Sequence, residues 1–211
     1  MERPRFENTM AYIVAGGLGR RMGRVNKGLC PLGSRAMVAW VMEALAAQCT
    51  KVGVSANEDE ARFLALGADF VLKDKTPDFQ GPLASLEALY ERADLWTGET
   101  PIEWILWSPC DVPGLPTTLL AAFQAAYPDG PTKTLAYYIR AGEHDHYTIA
   151  LIHRSALASV SEYLASGERR VKGWLMEKTH AQGVTWTGPE TAFDNLNTPE
   201  ELRAWEETHQ K

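Results

Sequence analysis

The amino-acid sequence predicts one α/β domain, with a mainly parallel sheet covered by helices on both faces. Short apolar runs alternate with stretches of helical periodicity through residue 127, a rhythm typical of β-α units. A glycine-rich loop directly follows the first apolar run, at the end of a strand where such sheets bind ligands. The 211 residues, 45% of them hydrophobic, are enough for one core, so we expect a single domain over 1–211.

The first part of the chain predicts four strands and four helices. We expect the strands at 10–15, 51–55, 69–72 and 102–107, and the helices at 36–48, 58–66, 83–93 and 116–127. Residues 1–9 are polar and lack the apolar core of a signal peptide, so we expect them to form a flexible extension.

The rhythm changes after residues 128–130 (PDG). Two strands at 132–140 and 144–152, around a turn at 141–143, predict a hairpin that can add antiparallel edge strands. Helices at 155–164 and 169–178 and a short strand at 183–187 follow. A capping box predicts the start of the last helix, with Thr198 as N-cap, Pro199 at the first helical position and Glu201 three residues after the cap.

Composition excludes several classes of protein. A net charge of −6 and a pI of about 5.4 argue against nucleic acid as a partner. The apolar runs are too short to span a bilayer. Three cysteines (Cys30, Cys49 and Cys110) without a CxxC pattern predict neither a disulfide framework nor a thiolate zinc site, which favours a cytoplasmic location.

The glycine-rich loop at 15–28 (AGGLGRRMGRVNKG) is the most informative segment. Its five glycines let the backbone approach a ligand, and Arg20, Arg21 and Lys27 add positive charge. Met22 replaces the third glycine of the dinucleotide fingerprint, and the GK[ST] of a P-loop is absent. We expect the loop to bind phosphates by another pattern; the alternative is a surface loop with solvated arginines.

Asp111 is the candidate metal ligand. A short turn, Ser108-Pro109-Cys110, separates it from the strand at 102–107, so its carboxylate is expected at the end of the sheet where the glycine-rich loop also lies. Mg²⁺ accepts one or two carboxylates together with phosphate oxygens. The alternative is an Asx turn that precedes Val112-Pro113-Gly114.

At the glycine-rich loop the sequence resembles the molybdenum cofactor guanylyltransferases, the MobA family, whose pattern is similar to LAGGxxxRMGxxDKG. The resemblance spans almost the whole chain in the expected order, through 55–57 (SAN), 73–74 (KD), 81–83 (GPL), 109–111 (PCD), 167–171 (GERRV) and 195–202 (NLNTPEEL). The loop alone indicates only the wider nucleotidyltransferase superfamily, whereas GERRV and NLNTPEEL are much more specific to the MobA family.

The resemblance implies a Rossmann-like three-layer α/β/α nucleotidyltransferase domain that binds GTP with Mg²⁺. It implies the transfer of GMP to the terminal phosphate of molybdopterin, with release of pyrophosphate and formation of molybdopterin guanine dinucleotide. It also implies contacts with other cofactor-assembly proteins and with apo-molybdoenzymes.

The resemblance also implies roles for residues on the nucleotide side. Lys27, Arg21 and Asp111 would be catalytic, with Asp111 as the Mg²⁺ ligand. The nucleotide would contact Val14, Ala15, Gly16, Gly17, Lys27, Asn57, Asp74 and Asp111. On the residue pattern alone, Asn57 is better explained as a helix N-cap and Asp74 as a turn residue, and only the resemblance favours the nucleotide site.

The pterin substrate would contact Gly81, Pro82, Arg169, Arg170, Asn195 and Asn197. Guanidinium groups are suited to a phosphate or to a ring. The alternatives are a proline-initiated helix at Gly81-Pro82 and a solvated helix start at Arg169-Arg170. Asn195 and Asn197 can instead support the metal, and Asn197 can instead only shape the turn into Thr198.

The chain departs from the family pattern at several positions. Asn26 replaces the aspartate before Lys27, Ser85 replaces a glycine, and a short insertion lies around 97–101. Tyr147 follows His146 where the family tends to have proline. His144 and His146 are too few for a closed zinc site, so we interpret them as structural or substrate-lining.

Two alternative functions remain open from the sequence. A nucleotidyltransferase of the same fold can use CTP with the same pterin, or act on a sugar phosphate. A non-catalytic nucleotide-binding module is the other alternative, and Asn26 is its only support.

Overall fold

The computed structural model describes residues 6–15, 18–19, 25–75, 81–97, 99–127 and 133–209. The strands in these residues are β1 (Thr9–Val14), β2 (Leu18–Gly19), β3 (Val25–Asn26), β4 (Pro31–Leu32), β5 (Arg35–Ala36), β6 (Val52–Ser55), β7 (Phe70–Leu72), β8 (Trp104–Pro109), β9 (Ala136–Ala141), β10 (His144–His153) and β11 (Gln182–Thr185). The α-helices are α1 (Met37–Ala46), α2 (Glu60–Ala65), α3 (Leu83–Tyr90), α4 (Ala93–Trp96), α5 (Leu119–Ala126), α6 (Val160–Ala165), α7 (Val171–Thr179) and α8 (Pro199–His209). Short 3₁₀ helices cover Phe6–Asn8, Lys27–Leu29, Arg154–Ser159 and Glu190–Phe193.

A seven-stranded sheet forms the centre of the molecule, in the order β7-β6-β1-β8-β10-β9-β11. The central strand β1 pairs in parallel with β6 on one side and with β8 on the other. Within the described sheet only β10 runs against its neighbours, since it is antiparallel to both β8 and β9. The predicted, mainly parallel fold is confirmed.

Side chains alternate between the two faces of the sheet because successive residues of a strand point in opposite directions. Ala11 and Ile13 of β1 face a core formed with α1, α2 and α5, here called the α1/α5 face. Met10 and Tyr12 face a second core formed with α3, α6 and α7, here called the α3/α7 face. These two cores confirm the three-layer arrangement.

The predicted hairpin exists as β9 and β10, but the expectation that its strands lie at the edge of the sheet is wrong. Strand β10 pairs with β8, and β9 pairs with β11, which is the edge strand. The inner parts of both strands, at 136–139 and 149–152, are buried. Strands covered on both faces form continuous apolar runs, and the apolar stretch IALI at 149–152 fits such an interior position.

The flexible extension expected at 1–9 is wrong for residues 6–9. Phe6 is buried, and its backbone oxygen accepts a hydrogen bond of 2.7 Å from the Thr9 hydroxyl. Thr9 already belongs to β1. The ring of Phe6 packs edge-on against Trp104 and Tyr127, so burial of this aromatic ring anchors the segment. Residues 1–5 lie outside the described residues.

The last helix begins as predicted. The Thr198 hydroxyl accepts a hydrogen bond from Glu201 N, and the Glu201 carboxylate accepts one from Thr198 N, which together make a capping box. Helix α8 docks through Leu202 onto Leu32, Met37 and Leu196. This docking holds the segment before α8 against the carboxyl end of the sheet.

Other element boundaries differ from the prediction where the backbone turns. The helix expected at 83–93 ends at Tyr90, and α4 starts after Arg92, which has a non-helical ψ of 75°. The helix expected at 155–164 begins as a 3₁₀ helix at Arg154 and continues as α6. Within the described residues, no helix is both long and apolar enough to cross a membrane.

Candidate active site

Four segments named from the sequence meet at the carboxyl end of the parallel strands. Ala15 follows β1, Asn57 comes after β6, Asp74 after β7 and Asp111 after β8. Strand pairing fixes their relation, since Ala15 N donates to Ser55 O at 2.8 Å and Cys110 N donates to Val14 O at 3.0 Å. Ligands of open α/β sheets bind at this end, so this is the candidate active site.

A compact polar cluster surrounds Asp111 and is called here the Lys27 cluster. It consists of Lys27, Asp111, Asn195 and Asn197. The Lys27 ammonium donates to Asp111 Oδ2 at 2.5 Å and to Asn197 Oδ1 at 2.6 Å. Asn195 Nδ2 donates to Asp111 Oδ1 at 2.7 Å. The fold therefore unites residues from three distant segments, all named from the sequence.

Water has little access to the ion pair of this cluster. The side chains of Lys27 and Asp111 are only 15% and 14% exposed, and partial burial strengthens an attraction between opposite charges. Both carboxylate oxygens of Asp111 accept hydrogen bonds from side chains. The Asx turn considered as an alternative therefore does not explain this residue.

Two backbone N–H groups hold the segment that carries the two asparagines. Leu196 N donates to Asp111 O at 2.8 Å, which ties their segment to the end of β8. Glu201 Oε2 accepts from Asn197 N at 2.5 Å. This hydrogen bond is the main reason that the pKa of Glu201 is lowered. Asn197 thus does more than shape a turn, because its side chain reaches Lys27.

The donor set of the Lys27 cluster fits a magnesium ion. Asp111 Oδ2 and Asn197 Oδ1 both point at a single cation, the Lys27 ammonium. One carboxylate oxygen beside one amide oxygen is hard-ligand chemistry of the kind that Mg²⁺ accepts, with phosphate oxygens and water as its other ligands. The described residues contain no group of three or more His, Cys, Asp or Glu side chains that could hold a metal alone.

A second polar group joins Asn57 and Asp74. Asn57 Nδ2 donates to Asp74 Oδ2 at 3.0 Å, and Asp74 N donates to Asn57 Oδ1 at 2.9 Å. The N-cap residue of α2 is Asp59 and not Asn57, so the N-cap interpretation of Asn57 is wrong. Ser55 belongs to the SAN pattern but was given no role from the sequence, and its buried hydroxyl lies 3.5 Å from Asp74 Oδ1. A serine at the end of a buried strand was the available signal.

Four of the six predicted pterin-side residues lie around the starts of α3 and α7, whereas Asn195 and Asn197 belong to the Lys27 cluster. Gly81 has a φ of +79°, which favours glycine, and an added Cβ would lie 4.0 Å from Arg169 O. Pro82 directly precedes α3. The segments named from GPL and GERRV are therefore neighbours on the α3/α7 face.

The two arginines of this group have different environments. Arg169 Nη1 donates to Leu164 O of α6 at 2.5 Å and to Glu168 O, in the segment after α6, at 2.7 Å. Arg170 is exposed, and its side chain has no hydrogen bond or ion pair within the part of the chain that the structure describes. Arg170 is therefore the arginine of the pair whose guanidinium is free to bind a substrate.

Close packing supports the loop that carries Lys27. An added Cβ on Gly28 would lie 3.4 Å from both Cβ and Sγ of Cys110. Burial raises the pKa of the Cys110 thiol to about 12, with a smaller contribution from Asp111. Cys110 is thus a neutral packing residue behind the site. The predicted residues Gly16, Gly17 and Arg21 lie outside the described residues.

His146 supports the site from the α1/α5 face. Its ring centroid lies 5.3 Å from that of Phe193, which closely precedes Asn195. Burial is the main cause that lowers the pKa of His146, and the charge of His144 adds to it. A neutral, packed His146 agrees with the structural role expected from the sequence.

The fold and the site define a class of protein. A mainly parallel α/β/α domain with a cation and carboxylate beside a glycine-rich loop is the architecture of a nucleotidyltransferase. A family model described as MobA-like NTP transferase domain matches residues 11–182. The chain belongs to this family.

Relatives and solved structures agree over nearly the full length. A molybdenum cofactor guanylyltransferase of Serratia proteamaculans is 36% identical over 95% of each chain. One of Yersinia pestis is 32% identical over 95% of this chain and 96% of its own. The crystal structure of molybdopterin-guanine dinucleotide biosynthesis protein A from Archaeoglobus fulgidus has a TM-score of 0.71 at 17% identity and covers 95% of this chain and 98% of its own. At that identity the structural likeness shows the fold.

Proposed function

We propose that this protein is a guanylyltransferase that transfers GMP from GTP to the terminal phosphate of molybdopterin. The observation that carries the proposal is the Lys27 cluster, which places a cation, a carboxylate and two amides at the carboxyl end of the sheet. The curated relatives carry the name molybdenum cofactor guanylyltransferase, which favours GTP over CTP and an enzyme over a binding module.

The reaction is an in-line displacement at the α-phosphate of GTP. An oxygen of the molybdopterin phosphate forms a bond to this phosphorus while the bond to the β-phosphate oxygen breaks, and pyrophosphate leaves. The attacking phosphate is already an anion, so no general base is required. Catalysis then comes from positioning and from neutralisation of charge.

Each residue around the phosphates of GTP has its own role in positioning them or neutralising their charge. Lys27 moves between the Asp111 carboxylate and the phosphates, where its ammonium stabilises the charge on the departing pyrophosphate. Asp111 and Asn197 would hold Mg²⁺, which would supply positive charge that neutralises the phosphates of GTP. Arg21, Gly16 and Gly17 contact the phosphates from the glycine-rich loop, beside Val14 and Ala15.

Asn57 and Asp74 bind the nucleoside part of GTP. Their mutual hydrogen bonds fix the Asp74 carboxylate, and a fixed carboxylate is well suited to accept from N–H or O–H groups of a base or a ribose. Asn195, Arg170, Gly81 and Pro82 contact molybdopterin.

A panel of the four ribonucleoside triphosphates tests the proposal. Purified protein with Mg²⁺ and metal-charged molybdopterin is given each triphosphate separately, and pyrophosphate release and dinucleotide formation are followed. We expect turnover with GTP only. Turnover with CTP only would show that the protein is a cytidylyltransferase. Binding of GTP without any turnover would favour the non-catalytic module. Reactions without molybdopterin control for simple hydrolysis.

Contacts with other cofactor-assembly proteins and apo-molybdoenzymes, and a cytoplasmic location, stay predictions.

A further inference from the structure

The pairing of β9 with β10 contains a β-bulge in β10, beside the candidate active site. His146 pairs with Ile139 and Ala150 pairs with Tyr138, so that the three residues at 147–149 have no partners in β9. Ala150 also pairs with Trp107 of β8, the strand that leads to Asp111. Bulges of this kind re-aim side chains next to active sites.

The bulge directs Tyr147 onto the α3/α7 face, where it packs against the core of that face. Its hydroxyl donates to Asp145 Oδ2 at 2.8 Å, and Asp145 Oδ1 accepts from Arg140 Nε at 2.8 Å. Its ring centroid lies 4.8 Å from that of the buried Tyr138. Contacts of both its ring and its hydroxyl therefore fix the position of the Tyr147 side chain.

The ammonium of Lys172 lies over the aromatic ring of Tyr147. This residue lies in the first turn of α7, and its Nζ is 5.3 Å from the centre of the Tyr147 ring. A cation over an aromatic face is attracted by the ring and stays charged. The pKa of Lys172 is raised, first by its interaction with the Tyr147 hydroxyl. Among the described residues Lys172 has no carboxylate within ion-pair distance, in contrast to Lys178 of the same helix, which pairs with Glu162.

Lys172 lies next to residues that we propose to contact molybdopterin, the acceptor substrate. Arg170, also without an ion-pair partner among the described residues, immediately precedes α7, and Gly81 lies against the same segment. The nucleoside pair Asn57 and Asp74 follows β6 and β7, on the other side of β1. Arg170 and Lys172 thus place two cations without an ion pair among the described residues on the β8–β10 side of an acidic chain, although the charge of Asp145 acts on Lys172 through space.

We propose that Lys172, held by Tyr147, binds an anionic group of the acceptor substrate. This inference rests on the proposed function, which supplies a phosphorylated acceptor. Lys172 is a binding residue for the acceptor, and Tyr147 is a positioning residue that acts through Lys172. The anion is either the reacting phosphate of the acceptor or another anionic group of the same molecule.

Steady-state kinetics and direct binding test the role of Lys172. We expect Lys172→Gln to raise the KM for molybdopterin about tenfold, the usual effect of losing one hydrogen bond to a charged group. The KM for GTP should stay within twofold of wild type, and Lys172→Arg should restore the acceptor KM. The affinity for molybdopterin without GTP, measured by calorimetry, should fall by the same factor. Lys178→Gln is the matched control and should change neither constant.

Two tyrosine variants separate positioning from folding. Tyr147→Phe keeps the ring and should stay within about threefold of the wild-type acceptor KM, whereas Tyr147→Ala should approach the Lys172→Gln value. Thermal unfolding of each variant shows whether the fold is retained. An acceptor KM unchanged by Tyr147→Ala in folded protein would overturn the positioning role.

Inorganic phosphate identifies the bound group. If phosphate competes with the acceptor and Lys172→Gln weakens this competition, Lys172 binds the reacting phosphate. If the acceptor KM rises while competition by phosphate is unchanged, Lys172 binds another anionic group. An acceptor KM and affinity that are unchanged in Lys172→Gln would overturn the inference. Wild-type protein that binds GTP but neither binds nor converts molybdopterin would instead contradict the proposed function.

Discussion

The Lys27 ammonium lies 2.5 Å from Asp111 Oδ2, although 84 positions separate the two residues in the chain. The parallel pairing of β1 with β8 produces this contact, because it brings the segments that follow the two strands to the same end of the sheet. Asn195 and Asn197 complete the arrangement from a third segment. The ion pair is thus a direct product of the sheet topology.

Asp111→Asn should lower kcat at least about 100-fold, since a neutral amide neither pairs with Lys27 nor binds Mg²⁺ as a carboxylate does. Pyrophosphate release measures the effect, and circular dichroism should show an intact fold. Asp94→Asn is the control, because Asp94 is an exposed carboxylate that pairs with Arg92 away from the site. A kcat within tenfold of wild type in Asp111→Asn would disprove the metal assignment.

Asp74→Asn should raise the KM for GTP about tenfold with little change in kcat, as expected when binding is lost equally in the ground and transition states. The substitution places an amide opposite Asn57 Nδ2, which now donates to the Asp74 carboxylate. Asp59→Asn serves as the control, since asparagine tolerates the positive φ of 60° at that position. An unchanged KM for GTP would remove Asp74 from the nucleotide site.

Asn26→Asp should change kcat/KM for GTP less than about threefold, because a single hydrogen bond contributes little when Lys27 is already held by Asp111 and Asn197. The Asn26 side-chain oxygen is buried and has no hydrogen-bond partner among the residues that the structure describes. A carboxylate there should lower the free energy of unfolding by about 1–3 kcal/mol, measured in urea, since a buried charge without donors is costly. Asn26→Ala, which leaves no charge, should destabilise less. A large gain in activity would show instead that residue 26 takes part in catalysis.

The cysteines should be unreactive in the native protein. Burial raises the pKa of Cys49 and of Cys110 to about 12, and it also raises the pKa of Cys30. At pH 8 these thiols stay protonated, and the thiolate is the reactive form. Iodoacetamide should therefore label fewer than one cysteine per native chain, and all three after unfolding in guanidinium. Rapid labelling of folded protein would contradict the burial of these thiols.

The same pKa shifts predict that the free energy of unfolding falls at alkaline pH. The folded-state pKa of Cys49 and Cys110 lies above the ordinary value of 9.0. Their contribution to stability is therefore complete below pH 9 and is lost as the pH rises from 9 towards 12. Urea unfolding across this range should show a falling free energy of unfolding. A Cys49→Ala variant should show a smaller decrease.

Local sequence patterns predicted much of the fold. Apolar runs located β1, β6 and β8 to within two residues at each end, and the capping box located the start of α8. The position of the hairpin was not predicted, because strand order depends on contacts between distant residues. Phe6 was missed because a single apolar residue in a polar segment gives no periodic signal.

The sequence by itself determined the class of chemistry, since the residue types of the glycine-rich loop, Asp111 and the last asparagines are local and can be recognised. Only the tertiary structure decided which of these residues meet. It paired Asn57 with Asp74 and brought Lys172 over Tyr147. It also bound Arg169 to the Leu164 and Glu168 carbonyls, whereas the Arg170 side chain has no hydrogen bond among the described residues. The physical reason is that a side chain's partner is set by the pairing of strands and the docking of helices far apart in the chain. No local pattern contains that information.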